Sequence, residues 1–322
     1  MVPEPTLVGR FTTGLDGLTA PDARIGVAVS GGPDSLALLL LAAAARPGFI
    51  EAATVDHALR AGSRAEAEIV ADLCQRLGIP HTILTARWSE PPQAAVQERA
   101  RSERYRLLGY WAEERGLSAI ATAHHADDQA ETLLMRLNRG SGVRGLAGIR
   151  PRSVTPGSHV WLIRPLLSWR RSELQQICND ARLTAVADPS NEDDRFERVR
   201  VRQALAGADW LNPVAVARSA SHLAAADSAL DWAMKAEWKQ AVRESGGTII
   251  YRLSEGPPEI LRRIVARAIR RFATEGEAEL RGPELDRLLG TLSEGGTATI
   301  RGVICRGGDT EWRFSRAPAR RY

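Results

Sequence analysis

A chain of 322 residues with 44% hydrophobic and 25% charged residues can bury two cores, and that balance excludes a globally disordered or collagen-like polymer. The formal net charge of +4 admits a polyanionic partner without selecting one. Cys74, Cys178 and Cys305 are too scattered for a disulfide framework or a Cys-x-x-Cys pair, residues 1–16 lack the pattern of a secretory signal, and the longest apolar run, 36–45, is about half of what a bilayer needs. A cytoplasmic protein with no membrane role is expected.

Residues 24–29 read as a first strand and 35–45 as the buried helix after it. Between them stands Ser30-Gly31-Gly32-Pro33-Asp34-Ser35. Two glycines let backbone N–H groups close on an anion, Ser30 and Ser35 add hydroxyls, and the helix N-terminus brings partial positive charge to the same point. Asp34 beside a phosphate is repulsive unless a cation lies between them, so this segment predicts a polyphosphate with Mg2+. An ordinary strand–helix turn capped by Ser or Asp is the bland alternative. Neither Gly-x-x-x-x-Gly-Lys-Ser/Thr nor Gly-x-Gly-x-x-Gly occurs.

Further along, 52–55 reads as a strand ending at Asp56 and His57, followed by a helix from Ser63 with Ile69, Val70, Leu73, Cys74 and Leu77 on one face. Residues 81–85 form a third strand, 94–115 a long helix, 119–123 a fourth strand, and 127–139 a helix with Leu133, Leu134 and Leu137 together. The fold class is therefore α/β, a doubly wound parallel sheet, and its ligands belong at the carboxyl ends of the strands. Ser30 to Ser35, Asp56 with His57, and the cluster His124, His125, Asp127 and Asp128 all fall there.

The glycine-rich stretch 140–148 reads as a loop over the site, 160–163 as a last strand, and 170–182 as a helix capped by Ser168. Asn212-Pro213 divides the chain into domains 1–212 and 213–322. The second, smaller and largely helical domain contains a helix over 214–243 and an amphipathic one over 260–272. Ile260, Leu261, Ile264, Val265, Ala268 and Ile269 make the apolar face of the latter, with Arg262, Arg263, Arg267, Arg270 and Arg271 on the rest. Residues 297–305 and 311–314 alternate as a hairpin around Gly307-Gly308. Trp210, Trp232, Trp238 and Trp312 are either base-stacking platforms or core.

The glycine loop resembles the pyrophosphate loop (PP-loop) of enzymes that split ATP into AMP and pyrophosphate. Further segments resemble one family in that group, the tRNA(Ile)-lysidine synthetases: Val55-Asp56-His57-Ala58-Leu59-Arg60, Ala100-Arg101-Ser102-Glu103-Arg104-Tyr105, His125-Ala126-Asp127-Asp128-Gln129-Ala130-Glu131-Thr132, Arg139-Gly140-Ser141-Gly142 and Asp188-Pro189-Ser190-Asn191. The match runs in order over residues 25–205, departing from the pattern at Val199, where Asn is usual, and at Gln97, where Glu is. The resemblance implies an ATP- and Mg2+-dependent ligase that adenylates the wobble cytidine of the CAU-anticodon isoleucine tRNA and lets free L-lysine displace AMP. It also implies association as a homodimer.

On that basis Asp34, Asp128, Arg101 and His125 are the catalytic candidates. Ser30, Gly31, Gly32, Pro33, Asp34, Ser35, Asp56 and His57 are expected to bind ATP, with Arg60 beside them. Asp34, Asp127 and Asp128 would hold the metal, and Arg104, Arg195, Arg198, Arg200 and Arg202 the tRNA. For His125 a proton relay and a helix cap stand as alternatives, as do an N-cap and catalysis for Asp127 and Asp128, and a solvated face for the arginine run. A tRNA thiolation enzyme, a small-metabolite synthetase of the same group and a non-catalytic nucleotide- or RNA-binding protein are the competing readings.

Overall fold

Apolar residues at every second position form the first strand, β1 (Ile25–Ala28), in which Ile25 and Val27 point to one side of a sheet. Gly26 points to the other, and a Cβ there would lie 2.5 Å from the Trp111 ring, so only glycine lets that indole lie against the strand. The computed structural model of the chain describes residues 2–59, 62–88, 96–185, 197–272, 280 and 282–318.

The chain divides into two compact units, residues 1–139 with 147–221 and residues 140–146 with 222–322. In the first, β1 is followed by α2 (Pro33–Ala45), β2 (Ile50–Asp56), α3 (Ser63–Arg76), β3 (His81–Thr85), α4 (Val96–Glu114), β4 (Ala119–Ala121) and α5 (Ala126–Asn138). After α6 (Val143–Leu146) come β5 (Arg152–Val154), β6 (Trp161–Ile163), α7 (Arg171–Asp180) and α8 (Glu197–Ala206), while α1 (Pro5–Asp16) precedes β1. The strands form one six-stranded sheet in the order β3-β2-β1-β4-β6-β5, parallel except for the edge strand β5.

Helices cover both faces, as a parallel sheet requires. Phe11 and Leu15 of α1, the leucines of α2, Val70 and Leu73 of α3 and Leu174 and Ile177 of α7 form the core on one face. Tyr105, Leu108 and Trp111 of α4 pack on Ile120 and Leu162 on the other. Sequence order reverses between β1 and β4, so the segments after these two strands flank the crevice where doubly wound sheets bind ligands.

The second unit holds a five-stranded antiparallel sheet, order β7-β8-β11-β10-β9, built from β7 (Val242–Ser245), β8 (Thr248–Arg252), β9 (Thr297–Ile300), β10 (Val303–Arg306) and β11 (Glu311–Arg316). Its inner face, with Tyr251, Trp312 and Phe314, packs on α10 (Pro258–Arg270) and α11 (Gly282–Ser293). The helix α9 (Pro213–Ala241) begins at the expected boundary, whereas the compact units part at 221/222 within it.

Several expectations are corrected. Ile69 is exposed because the buried face of α3 carries Ala67, Val70, Leu73 and Cys74, and Leu137 is exposed because that of α5 carries Gln129, Ala130, Glu131 and Thr132 instead of a leucine stripe. The first turn of α7 is held by Glu173, whose carboxylate accepts the Arg170 N–H at 2.7 Å, and not by the Ser168 side chain. The glycine-rich stretch contains the single helical turn α6. Arg263 is buried at 6% exposure and does not join the solvent face of α10. The expected hairpin is part of a meander, because Arg301 and Gly302, both at positive φ, form a second tight turn. The helices α1 and α11 and the strands β5, β7 and β8 have no counterpart in the sequence pattern.

Candidate active site

Gly31 adopts φ +84°, a left-handed conformation natural to glycine, and turns the chain from β1 into α2. Gly32 is the N-cap of that helix and offers no capping side chain, so an anion is the natural complement of its first-turn N–H groups. The turn is fixed from within: Ser35 Oγ accepts the Ser30 N–H at 3.1 Å and donates to the Gly32 carbonyl at 2.9 Å. The Cys178 thiol of α7 donates to the Pro33 carbonyl at 3.1 Å, which pins the loop from below.

Across the crevice, His125 is the N-cap of α5 and only 3% exposed. Its backbone N–H donates to Asp128 Oδ2 at 3.1 Å, and its Nδ1 accepts the Asp128 N–H at 3.4 Å. With Nδ1 accepting, Nε2 carries the proton, and it stands 3.5 Å from both Asp34 Oδ2 and Asp128 Oδ2. Burial opposes charging of this imidazole, but the hydrogen bond to Asp34 and the negative charges of Asp128, Asp34 and Asp127 outweigh it and raise its pKa. Asp128 is held below the usual carboxylate range: burial works the other way, and the charges of His125, His124 and Arg198 prevail.

Asp127 borders the cluster, its Oδ2 3.6 Å from His125 Nδ1, but its hydrogen bonds go to α7. Its carboxylate accepts the Arg171 N–H at 2.8 Å and pairs with Arg170 at 3.2 Å, tying the start of α5 to the start of α7. Asp56 is likewise internal, accepting the Ala58 N–H at 2.9 Å and the Ser63 hydroxyl at 2.6 Å to launch α3. His57 has a buried Nδ1 without a hydrogen-bond partner, and burial and the Arg104 charge lower its pKa.

Asp34 Oδ1 is also buried without a hydrogen-bond partner, an oxygen that suits a divalent cation. Among the described residues no group of three or more His, Cys, Asp or Glu surrounds a common point.

Arg198 and Arg202 of α8 turn toward α5, whereas Arg200 is exposed. Glu131, 2% exposed on α5, holds Arg202 at 2.6 Å and Arg198 at 3.2 Å, and Arg198 also donates to Thr132 Oγ1 at 3.0 Å. Their charges reach the carboxylate pair, for Arg198 acts on Asp128 while Asp128 and Asp34 act on Arg202. The resemblance assigns this run to tRNA, with a solvated helix face as the alternative; the pairing of Arg198 and Arg202 with Glu131 fits neither for those two. The buried acid that captures it stood in the quoted motif, but its role needed the fold. Val199, one of the two departures from the family pattern, is buried. Arg200 lies on the same helix, whereas Arg195, Arg60 and the Asp188 to Asn191 segment lie outside the described residues.

On α4, Arg101 and Arg104 stack on the Tyr105 ring with guanidinium carbons 5.1 and 5.3 Å from its centroid. Beside them, burial drives the His124 pKa down to about 3, with Arg164, Arg101 and Arg104 adding repulsion against the pull of Asp128. Arg164, Tyr105 and Trp88 are site neighbours that sequence reasoning missed.

The fold and this crevice define a PP-loop protein, and a PP-loop domain model matches residues 8–208. A tRNA(Ile)-lysidine synthase from Novosphingobium aromaticivorans is 51% identical over 304 residues, covering 94% of this chain and 91% of that protein. One from Zymomonas mobilis is 42% identical over 325 residues, covering 100% and 96%. The chain belongs to the tRNA(Ile)-lysidine synthase family. The solved U34-tRNA thiolase NcsA from Methanococcus maripaludis shares the fold at a TM-score of 0.57 and 18% identity, covering 67% of this chain and 76% of that one.

Proposed function

We propose that this protein is the ATP-dependent ligase that adenylates the wobble cytidine of the CAU-anticodon isoleucine tRNA and joins free L-lysine to it, giving lysidine, AMP and pyrophosphate. The observation that carries this reading is the convergence of Asp34 and Asp128 on His125 Nε2 beside the glycine turn, in a chain of this family. The cytidine O2 attacks the α-phosphorus of ATP, an O–P bond forms, and the bond to pyrophosphate breaks. An amine of lysine then attacks carbon 2, the C–O bond breaks, AMP leaves with that oxygen, and one amine proton is released.

The chain's residues divide this work. The turn around Gly31 and the first turn of α2 receive phosphate oxygens, and Glu131 presents Arg198 and Arg202 to the charge that develops on pyrophosphate. Asp34 and Asp128 are the proposed Mg2+ ligands; the ion would offset the same charge. The geometry favours a positioning role for His125, holding the two carboxylates side by side, over a proton relay. Asp127, tied to α7, supports the turn.

For tRNA we assign Arg104 and Arg200 in the first unit and the second unit as a whole. On the outer face of its sheet Arg306 stands directly opposite Arg313, which is itself paired with Glu311 at 2.5 Å, leaving Arg306 as the cation of that pair for a phosphodiester. Trp210 and Trp232, 81% and 74% exposed, are free to stack on bases, while Trp312 is core. A thiolation enzyme finds no support, since Cys74, Cys178 and Cys305 are buried separately in α3, α7 and β10.

The test is release of pyrophosphate and AMP from ATP with Mg2+, lysine and tRNA, omitting one component at a time. Release that needs the tRNA, with labelled lysine entering the RNA, is expected. Release indifferent to tRNA and lysine would overturn the reading.

A further inference from the structure

Residues 140–146 belong to the second unit, while Arg139 before them and Ala147 after them belong to the first. This short stretch leaves the C-terminus of α5, makes the single turn α6 and returns toward β5, closed on itself by the Leu146 N–H, which donates to the Gly142 carbonyl at 3.0 Å. Arg144 ties it to α9. Its Nη2 lies 2.7 Å from Asp231 Oδ1 and its Nε 3.7 Å from Asp227 Oδ1, two acids that also hold Arg263. Arg144 is about half exposed, and an ion pair so placed adds little to stability. Its effect is geometric: it fixes where the stretch sits on the second unit.

The other end of the stretch is held from the first unit, next to the carboxylate pair. Gln129, 4% exposed on α5, donates from Nε2 to the Ile149 carbonyl at 2.7 Å and accepts the Ile149 N–H on Oε1 at 2.6 Å. Arg136 Nη1 adds a bond to the Gly148 carbonyl at 3.1 Å. A buried amide that satisfies both polar groups of one residue cannot let that residue slide without moving itself or leaving the groups unpaired. Gln129 directly follows Asp128. The stretch is therefore attached to α5 twice, by the peptide chain at the end of the helix and by hydrogen bonds at its first turns.

We propose that Arg144 is a positioning residue through which the second unit, on taking up the RNA, sets the carboxylate of Asp128. Arg144 fixes the 140–146 stretch on α9, and the stretch bears on α5 through Ile149 and Gln129. This rests on the ligase reading and gives it a control: ATP is cleaved efficiently only with tRNA in place.

The test uses the full chain with ATP, Mg2+, lysine and tRNA. Arg144→Ala is expected to lower kcat for tRNA-dependent AMP release by on the order of tenfold, with KM for ATP and the affinity for tRNA within about twofold of the parent. Arg144→Lys keeps the charge and is expected to retain most of the rate. Weaker tRNA binding at unchanged kcat would make Arg144 an RNA contact, and unchanged kinetics would leave it a surface ion pair; either overturns the assignment. Gln129→Met is expected to show the same split, and the double variant to be no slower than the slower single one, because both cut one path. Losses that multiply would overturn that path. Amide hydrogen exchange of the free protein separates this inference from the ligase reading. Arg144→Ala is expected to speed exchange at Ile149, which lies outside the unit that holds Arg144. An unchanged rate there breaks the link even where lysine transfer stands. Faster exchange at Ile149 in a protein whose pyrophosphate release ignores tRNA would overturn the ligase reading and leave the link in place.

Discussion

At the scale of single residues, Asp34 carries the most chemistry for the least structure. Its Oδ1 is buried without a hydrogen-bond partner and its Oδ2 lies 3.5 Å from His125 Nε2. Asp34→Asn keeps the shape and removes the charge a cation needs. It is expected to lower pyrophosphate release by about 100-fold or more while leaving the thermal midpoint within a few degrees of the parent. A normal turnover rate in the variant would remove Asp34 from the chemistry, and a collapse of the midpoint would make it a structural residue. Asp127 shows the contrast: the same residue type, one position from Asp128, spends its oxygens on the backbone and side chain of α7.

At the scale of elements, the second unit is organised by a buried cation. Arg263 of α10 pairs with Asp227 at 2.6 Å, Asp231 at 2.5 Å and Glu259 at 2.8 Å, and Arg144 of α6 reaches Asp231 at 2.7 Å from a more exposed position. Removing Arg263 leaves Asp227, 4% exposed, as a buried charge without its main partner. Arg263→Ala is therefore expected to destabilise the protein by about 3–5 kcal/mol, while Arg144→Ala shifts stability by less than about 1 kcal/mol. Urea unfolding monitored by tryptophan fluorescence would resolve the two, and equal effects would contradict the burial argument. Elements also explain where pattern reading succeeded. The apolar run of α2 is buried on nearly every side, and the 3.6-residue spacing of α10 marks its core face correctly except for Arg263, since periodicity reports hydrophobicity and cannot see an ion pair.

At the scale of the whole molecule, every cysteine is internal. Burial pushes the thiols of Cys74 and Cys305 up to about 12 and, with the Asp34 charge, that of Cys178 to about 11. At pH 8 the folded protein is expected to react negligibly with a thiol-specific disulfide reagent over minutes and to release its three equivalents only in denaturant. Rapid labelling of one thiol in the folded state would show that its unit opens more readily than its packing implies. Among the described residues no helix is long and apolar enough to cross a membrane, so the buried leucines of α2 serve the sheet.

What the sequence determined by itself was the glycine turn, the alternation of strands and helices and the placing of polar clusters at strand ends. These depend on short-range chemistry: φ preference, periodicity and the N-terminal helix dipole act within a few residues. Long-range packing settles which charges face a ligand and which are consumed. The Arg198 and Arg202 pairing with Glu131, the burial of Arg263 and the turning of Asp127 toward α7 are contacts between residues far apart in the chain. The hold of Gln129 on Ile149 is likewise a contact made by the fold, and no local pattern encodes it.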